Sequence, residues 1–202
     1  MKTGILCLAG WLAAGILLPG GDAMPTMEKF VSTEANFVLY KPAGWTVQEK
    51  AGEGMWSCCV LDSAGGGLVT QICLKNRFGP DAFAVIKTIS APTRTQFPDI
   101  RYSDIRRSAD GTRLVYRFSY TAPRGRREGQ GWITMRPKQC LVSVCEAPAG
   151  RLEAGKPLFL TILSNVRILK GGFPEGGAGG AAPAVPAVQW QNCRLGDGSA
   201  SF

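Results

Sequence analysis

A chain of 202 residues, 45% of them apolar, is long enough to bury a core, and its formal charge of +8 predisposes it to anionic partners. It contains no histidine, which excludes Ser-His-Asp and Cys-His catalysis, imidazole metal ligands and the Cys-x-x-Cys-His attachment of haem.

Lys2 precedes an apolar run from Ile5 to Leu18, and Pro19-Gly20-Gly21-Asp22-Ala23 follows with small residues at the cleavage-specifying positions. The run is shorter than the roughly 20 residues a membrane span requires, so residues 1–23 read as a secretory signal peptide cut after Ala23. Cys7 follows Ile5-Leu6 rather than a small residue, which argues against a lipid anchor. Cleavage removes one base, Lys2, and one acid, Asp22, so the surplus of +8 belongs to the mature chain. The protein is expected to be exported, periplasmic or extracellular. That location makes nucleic acid a poor partner for the charge and favours an envelope protein or a polyanionic surface, with membrane association at most peripheral.

Residues 28–34 are polar and read as a short edge strand. In Asn36-Phe37-Val38-Leu39-Tyr40-Lys41-Pro42-Ala43-Gly44-Trp45 a strand places Phe37, Leu39 and Lys41 on one face and Val38 and Tyr40 on the other. Pro42 suits the second position of a tight turn, Gly44 tolerates its exit, and Trp45 is expected to re-enter the core. The alternation in Trp45-Thr-Val47-Gln-Glu49 predicts another strand. Met55–Leu61 and Leu68–Leu74 flank Asp62-Ser-Ala-Gly-Gly-Gly67 as a hairpin.

Apolar residues at 82, 85, 86 and 89 follow Pro80-Asp81, the pattern of one helical face with a start signal, and Pro92 is expected to end or kink that helix. Residues 101–107 and 112–121 form a second hairpin around Asp110-Gly111, and its latter strand puts Leu114, Tyr116, Phe118 and Tyr120 on one face. Residues 132–136 and 140–146 form a third around Pro137-Lys138, residues 153–165 a second helix, and residues 166–169 a closing strand. Consecutive hairpins cannot build a parallel doubly wound sheet, so the fold class is α+β, an antiparallel β-sheet flanked by helices.

Residues 171–187, rich in glycine, alanine and proline, are a linker, so residues 24–170 form one domain. Residues 188–202 carry Trp190, Cys193, Leu195 and Phe202, costly to leave in water. This tail is expected to be the start of a second, truncated domain in a tandem protein, or a strand that pairs with something else.

The stretch Phe37-Val-Leu-Tyr-Lys-Pro-Ala-Gly-Trp45, the hairpin after Val60, the Asp81 helix, the Asp110-Gly turn with its aromatic strand, and Ala147-Pro148 before the last helix together resemble the PsbP-like superfamily. That group includes the extrinsic protein PsbP of photosystem II and bacterial DcrB-type envelope proteins. The likeness spans about residues 28–170, and Tyr40, Pro42, Gly44 and Trp45 carry its structural motif. The resemblance implies an α/β/α sandwich acting as a binding or assembly module, with no catalytic residue, metal or cofactor to transfer.

Two residue sets compete for a role. Cys58 and Cys59 point to opposite faces of a strand, as do Cys140 and Cys145. In a hairpin register summing to about 130, Cys59 and Cys73 become diagonal neighbours on one face and candidates for a disulfide. If residues 101–107 pair with 113–119, then Arg101, Arg107, Arg113 and Arg117 share one face, and Arg124, Arg126 and Arg127 lie at the strand end. This set is the candidate anion-binding or partner-binding surface. The expected function is therefore an exported, non-enzymatic binding or assembly module of the cell envelope. The alternative is a thiol-active envelope protein that uses its six mature cysteines.

Overall fold

The computed structural model describes residues 24–32, 37–52, 54–168, 190–193 and 195. The expected signal peptide, the expected linker and the rest of the tail lie outside the described residues. Among the described residues eleven strands and two helices follow one another: β1 (Met27–Val31), β2 (Phe37–Pro42), β3 (Thr46–Gly52), β4 (Met55–Leu61), β5 (Leu68–Lys75), α1 (Ala82–Gln96), β6 (Arg101–Ser108), β7 (Arg113–Ala122), β8 (Gly125–Met135), β9 (Gln139–Pro148), α2 (Leu152–Ser164), β10 (Arg167–Ile168) and β11 (Trp190–Asn192). They form an eight-stranded sheet, in the order β11-β6-β7-β8-β9-β5-β4-β3, and a three-stranded sheet, β1-β2-β10. Each pairing is antiparallel, so the class is α+β with helices on the sheet faces.

The large sheet separates two apolar cores. On one face α1 sets Ala82, Val85 and Ile86 against Leu114, Tyr116, Ile133 and Val142. On the other, Phe159 and Ile162 of α2 and Phe37 and Leu39 of β2 pack over Trp56, Val60, Val69 and Cys145. Alternation along the strands accounts for this division, since β9 sends Cys140 and Val142 to the first core and Cys145 and Ala147 to the second.

The hairpin of β4 and β5 forms where the sequence places it, but shifted by one residue. Asp62 and Gly67 close the loop through an N–H to O bond of 2.9 Å, so Cys59 stands opposite Thr70 and Cys73 opposite Trp56. Cys59 and Cys73 therefore face opposite sides of the sheet, and the expected disulfide between them is corrected: their sulfurs are not bonded to each other.

The turn after β2 differs in phase. Trp45 donates its amide to the Pro42 carbonyl at 3.2 Å and Gly44 has φ +81°, so Pro42 is the first residue of the turn and Gly44 the third. Tyr40 is exposed, and Trp45 is half-buried against Phe159 with ring centroids 6.4 Å apart. Fully buried Phe37 and Leu39, rather than Trp45, anchor this corner.

Helix α1 begins where expected, with the Asp81 carboxylate accepting the Phe83 N–H at 2.9 Å, but continues through Pro92 to Gln96. Pro92 cannot donate to the Thr88 carbonyl, and because both residues are exposed, that oxygen faces the solvent side of the helix. Helix α2 lacks a side-chain cap of its own, and Glu128 of β8 accepts the N–H groups of Gly150 and Leu152 at 2.8 and 3.2 Å instead.

The described part of the tail belongs to the same sheet. Trp190 to Asn192 pair with Ser108 to Arg106 of β6. These three residues form an edge strand on β6, and the remainder of the tail, on which the expectation of a second domain rests, lies outside the described residues.

Candidate binding groove

Because Leu114, Tyr116, Phe118 and Tyr120 take the α1 face of β7, its intervening residues Arg113, Val115, Arg117 and Ser119 must stand on the α2 face. Helix α2 packs on β9, β5 and β2. Among the described residues it leaves the corresponding face of β6 and β7 largely uncovered, and the arginines lie there.

A bulge in β6 determines which arginines gather. Arg101 pairs with Ser119 and Ser103 with Arg117, then the register shifts, and Arg106 pairs with Val115 and Arg107 with Leu114. Asp104 sits within the shift at φ +49°, a conformation that aspartate tolerates better than most side chains. The extra residue turns Arg106 onto the α2 face and Arg107 onto the other. The expected quartet is thus corrected: Arg101, Arg113 and Arg117 share a face with Arg106, and Arg107 lies 4.0 Å from Asp81 on the opposite side.

The strand-end cluster also divides. Arg126 reaches Ser119 at 3.5 Å on the α2 face, and Arg124 is exposed in the turn. Arg127 points to the α1 face, where it is largely buried, salt-bridged to Glu146 and donating to the Gly66 carbonyl at 2.6 Å. Tyr120 adds an O–H bond to Glu146 at 2.8 Å. Arg127 is therefore part of an internal network rather than of a binding surface, and its removal would strand a buried carboxylate.

The arginine face is concave beside the end of α2. A groove of about 360 Å³ runs between Arg106 of β6, Arg117 and Val115 of β7, Gln130 of β8 and Lys156 of α2, with Asp104 and Asn192 at its rim. Arg117 is held by Glu153 at 2.8 Å and Asp104 at 3.7 Å, and Lys156 lies 3.4 Å from Glu153. Arg106 has no acidic partner among the described residues. Gln130, 8% exposed and directly opposite Arg117 across the strand pair, has a side-chain oxygen with no hydrogen-bond partner. The groove thus offers an unpaired guanidinium, two further cations in exposed and readily exchanged pairs, and a buried amide oxygen in need of a donor. Arg106, Gln130, Lys156 and Asn192 were not singled out by sequence, because the bulge and the packing of α2 and β11 that gather them leave no periodic trace.

Four of the buried cysteines offer little reactivity. Burial pushes the Cys73 and Cys145 thiols up to about 11 and Cys140 to about 12, with the neighbouring Cys73 adding to the last, and burial moves Cys58 further in the same direction. Thiolates at these four positions are scarce near neutrality, which removes support from the thiol-active alternative there. The carboxylates of turns act structurally: Asp62 accepts from Ala64 at 3.0 Å, and Asp110 accepts from Ser108 and Thr112. Among the described residues no three acids or cysteines converge as metal ligands do.

The fold and groove define a two-core α+β sandwich with a basic concavity at one end of its sheet. No family model matches the chain, and no curated protein sequence matches it either. Among solved structures it is similar to cyanobacterial PsbP from Synechocystis sp. PCC 6803, at 16% identity and a TM-score of 0.45, over 76% of this chain and 99% of that one. It is also similar to the Ran-binding protein Mog1p of Saccharomyces cerevisiae, at 8% identity and a TM-score of 0.44, over 72% and 96% of the two chains.

Proposed function

We propose that the protein is an exported, non-enzymatic binding or assembly module of the cell envelope, and that the groove receives an anionic group of its partner. The observation that carries this reading is Arg106, a guanidinium without an acidic partner among the described residues, standing beside Arg117 and Lys156 over a concave floor. An arriving carboxylate or phosphate gains Arg106 outright and competes with Glu153 for the other two, whose exposed pairs are worth about 0–1 kcal/mol each. The N-terminal apolar run with its small-residue cleavage site supports export.

Titration with fluorescent polyglutamate tests the groove. Wild type should bind at low salt and lose affinity as the Debye length shortens to about 8 Å near physiological ionic strength. The double variant Arg106→Glu/Arg117→Glu should bind at least about tenfold more weakly, whereas Arg124→Glu, in the exposed turn, should change little. Equal affinity in wild type and double variant would remove the groove from consideration.

A further inference from the structure

Strand β6 has eight residues, and β11 pairs with only the last three, Arg106 to Ser108. The bulge at Asp104 interrupts the edge just beyond, where the Cys193 amide still reaches the Ile105 carbonyl at 2.8 Å. Residues directly opposite in an antiparallel pair share a face, so Asn192 stands beside Arg106 over the groove. A neutral amide therefore occupies the directly opposite cross-strand position, from which a carboxylate would meet the unpaired guanidinium.

Resting on the anion-binding reading above, we propose that β11 is a placeholder. The partner's anionic group is an aspartate or glutamate of an extended segment that replaces β11 on β6, with the acid in the position of Asn192. The incoming backbone takes over the hydrogen bonds that three residues of β11 now make. Because the bulge keeps the docking edge short, what the partner adds is charge rather than length. A flat anionic surface fits less well, since Asp104 and Glu153 interrupt the positive field while a single acidic side chain passes between them.

The test uses the full mature chain and a blocked, fluorescein-labelled peptide of alternating threonine and glutamate, followed by anisotropy and by hydrogen exchange. Saturating peptide should strip protection from residues 190–193 while residues 106–108 keep theirs. Asn192→Asp, which supplies the acid in cis, should raise protection of 190–193 and weaken peptide binding about two- to fivefold, and Arg106→Gln should abolish that difference. Peptide binding that leaves 190–193 protected would overturn strand replacement while leaving the groove as an anion site. Failure of both the peptide and polyglutamate to bind would overturn the groove itself. Binding to anionic lipid vesicles without binding to the peptide would assign the groove to headgroups and likewise dispose of the acidic strand.

Discussion

Gly129 and Gly131 of β8 have no side chains on the α1 face, and the rings of Phe118 and Tyr116 lie across the strand in the space this leaves. A methyl group on Gly131 would fall inside the Tyr116 ring, in a core too tightly packed to let the ring move aside. Gly131→Ala should therefore cost roughly 1–3 kcal/mol in urea unfolding, and Tyr116→Leu in the same chain should recover part of the loss. An alanine variant as stable as wild type would mean that the aromatic row Tyr102-Tyr116-Phe118-Tyr120 shifts freely. The buried thiols make a prediction about pH. Cys73, Cys145 and Cys140 ordinarily ionise at 9.0 and hold their protons to about 11, 11 and 12 in the fold. Between those limits the unfolded chain binds fewer protons than the native one. Their stabilising contribution is thus complete below pH 9 and is lost as pH rises through about 11–12. Denaturant midpoints should fall over that range, and Cys145→Ala should fall less steeply; identical slopes would place the thiol in a wetter setting than its burial implies.

At the scale of elements, Pro92 is a misfit that the fold tolerates. Its ring denies a hydrogen bond to Thr88 in the last turns of α1, on the solvent side, so Pro92→Ala should restore that bond and raise stability by up to about 3 kcal/mol. A drop in melting temperature would show that the proline's limit on the unfolded chain outweighs the missing bond. The same helix shows what the sequence made legible. Asp81 and the apolar residues at 82, 85 and 86 identified its start, but its end depended on exposure, which has no local signal. The hairpins were readable from their turn residues, whereas register depended on single atoms: the Asp62–Gly67 closure moved Cys59 away from Cys73. Likewise, one inserted residue at Asp104 exchanged Arg106 for Arg107 in the groove. A period of two identifies a face only until the first bulge, and the candidate site lies just past one.

For the whole molecule, the question is whether two cores on opposite faces of one sheet unfold together. Strands β5 and β9 contribute alternate residues to both, Val69 and Cys145 to one and Ile72 and Val142 to the other, so neither core can lose its packing while the shared strands stay in place. Trp45, Trp56 and Trp132 all belong to the α2 side, and a Trp190→Phe background removes the indole of β11 from the signal. Their fluorescence therefore reports on one core, and circular dichroism on the entire sheet. Ile86→Ala removes a fully buried side chain on the α1 side, remote from every one of those indoles, and should cost roughly 2–5 kcal/mol. If the sheet couples the cores, fluorescence and dichroism should shift together to the same lower midpoint, as two-state unfolding requires. A fluorescence midpoint that stays at the wild-type value while dichroism splits into two steps would show that the α2 core stands alone and that the sheet transmits no stability across its faces.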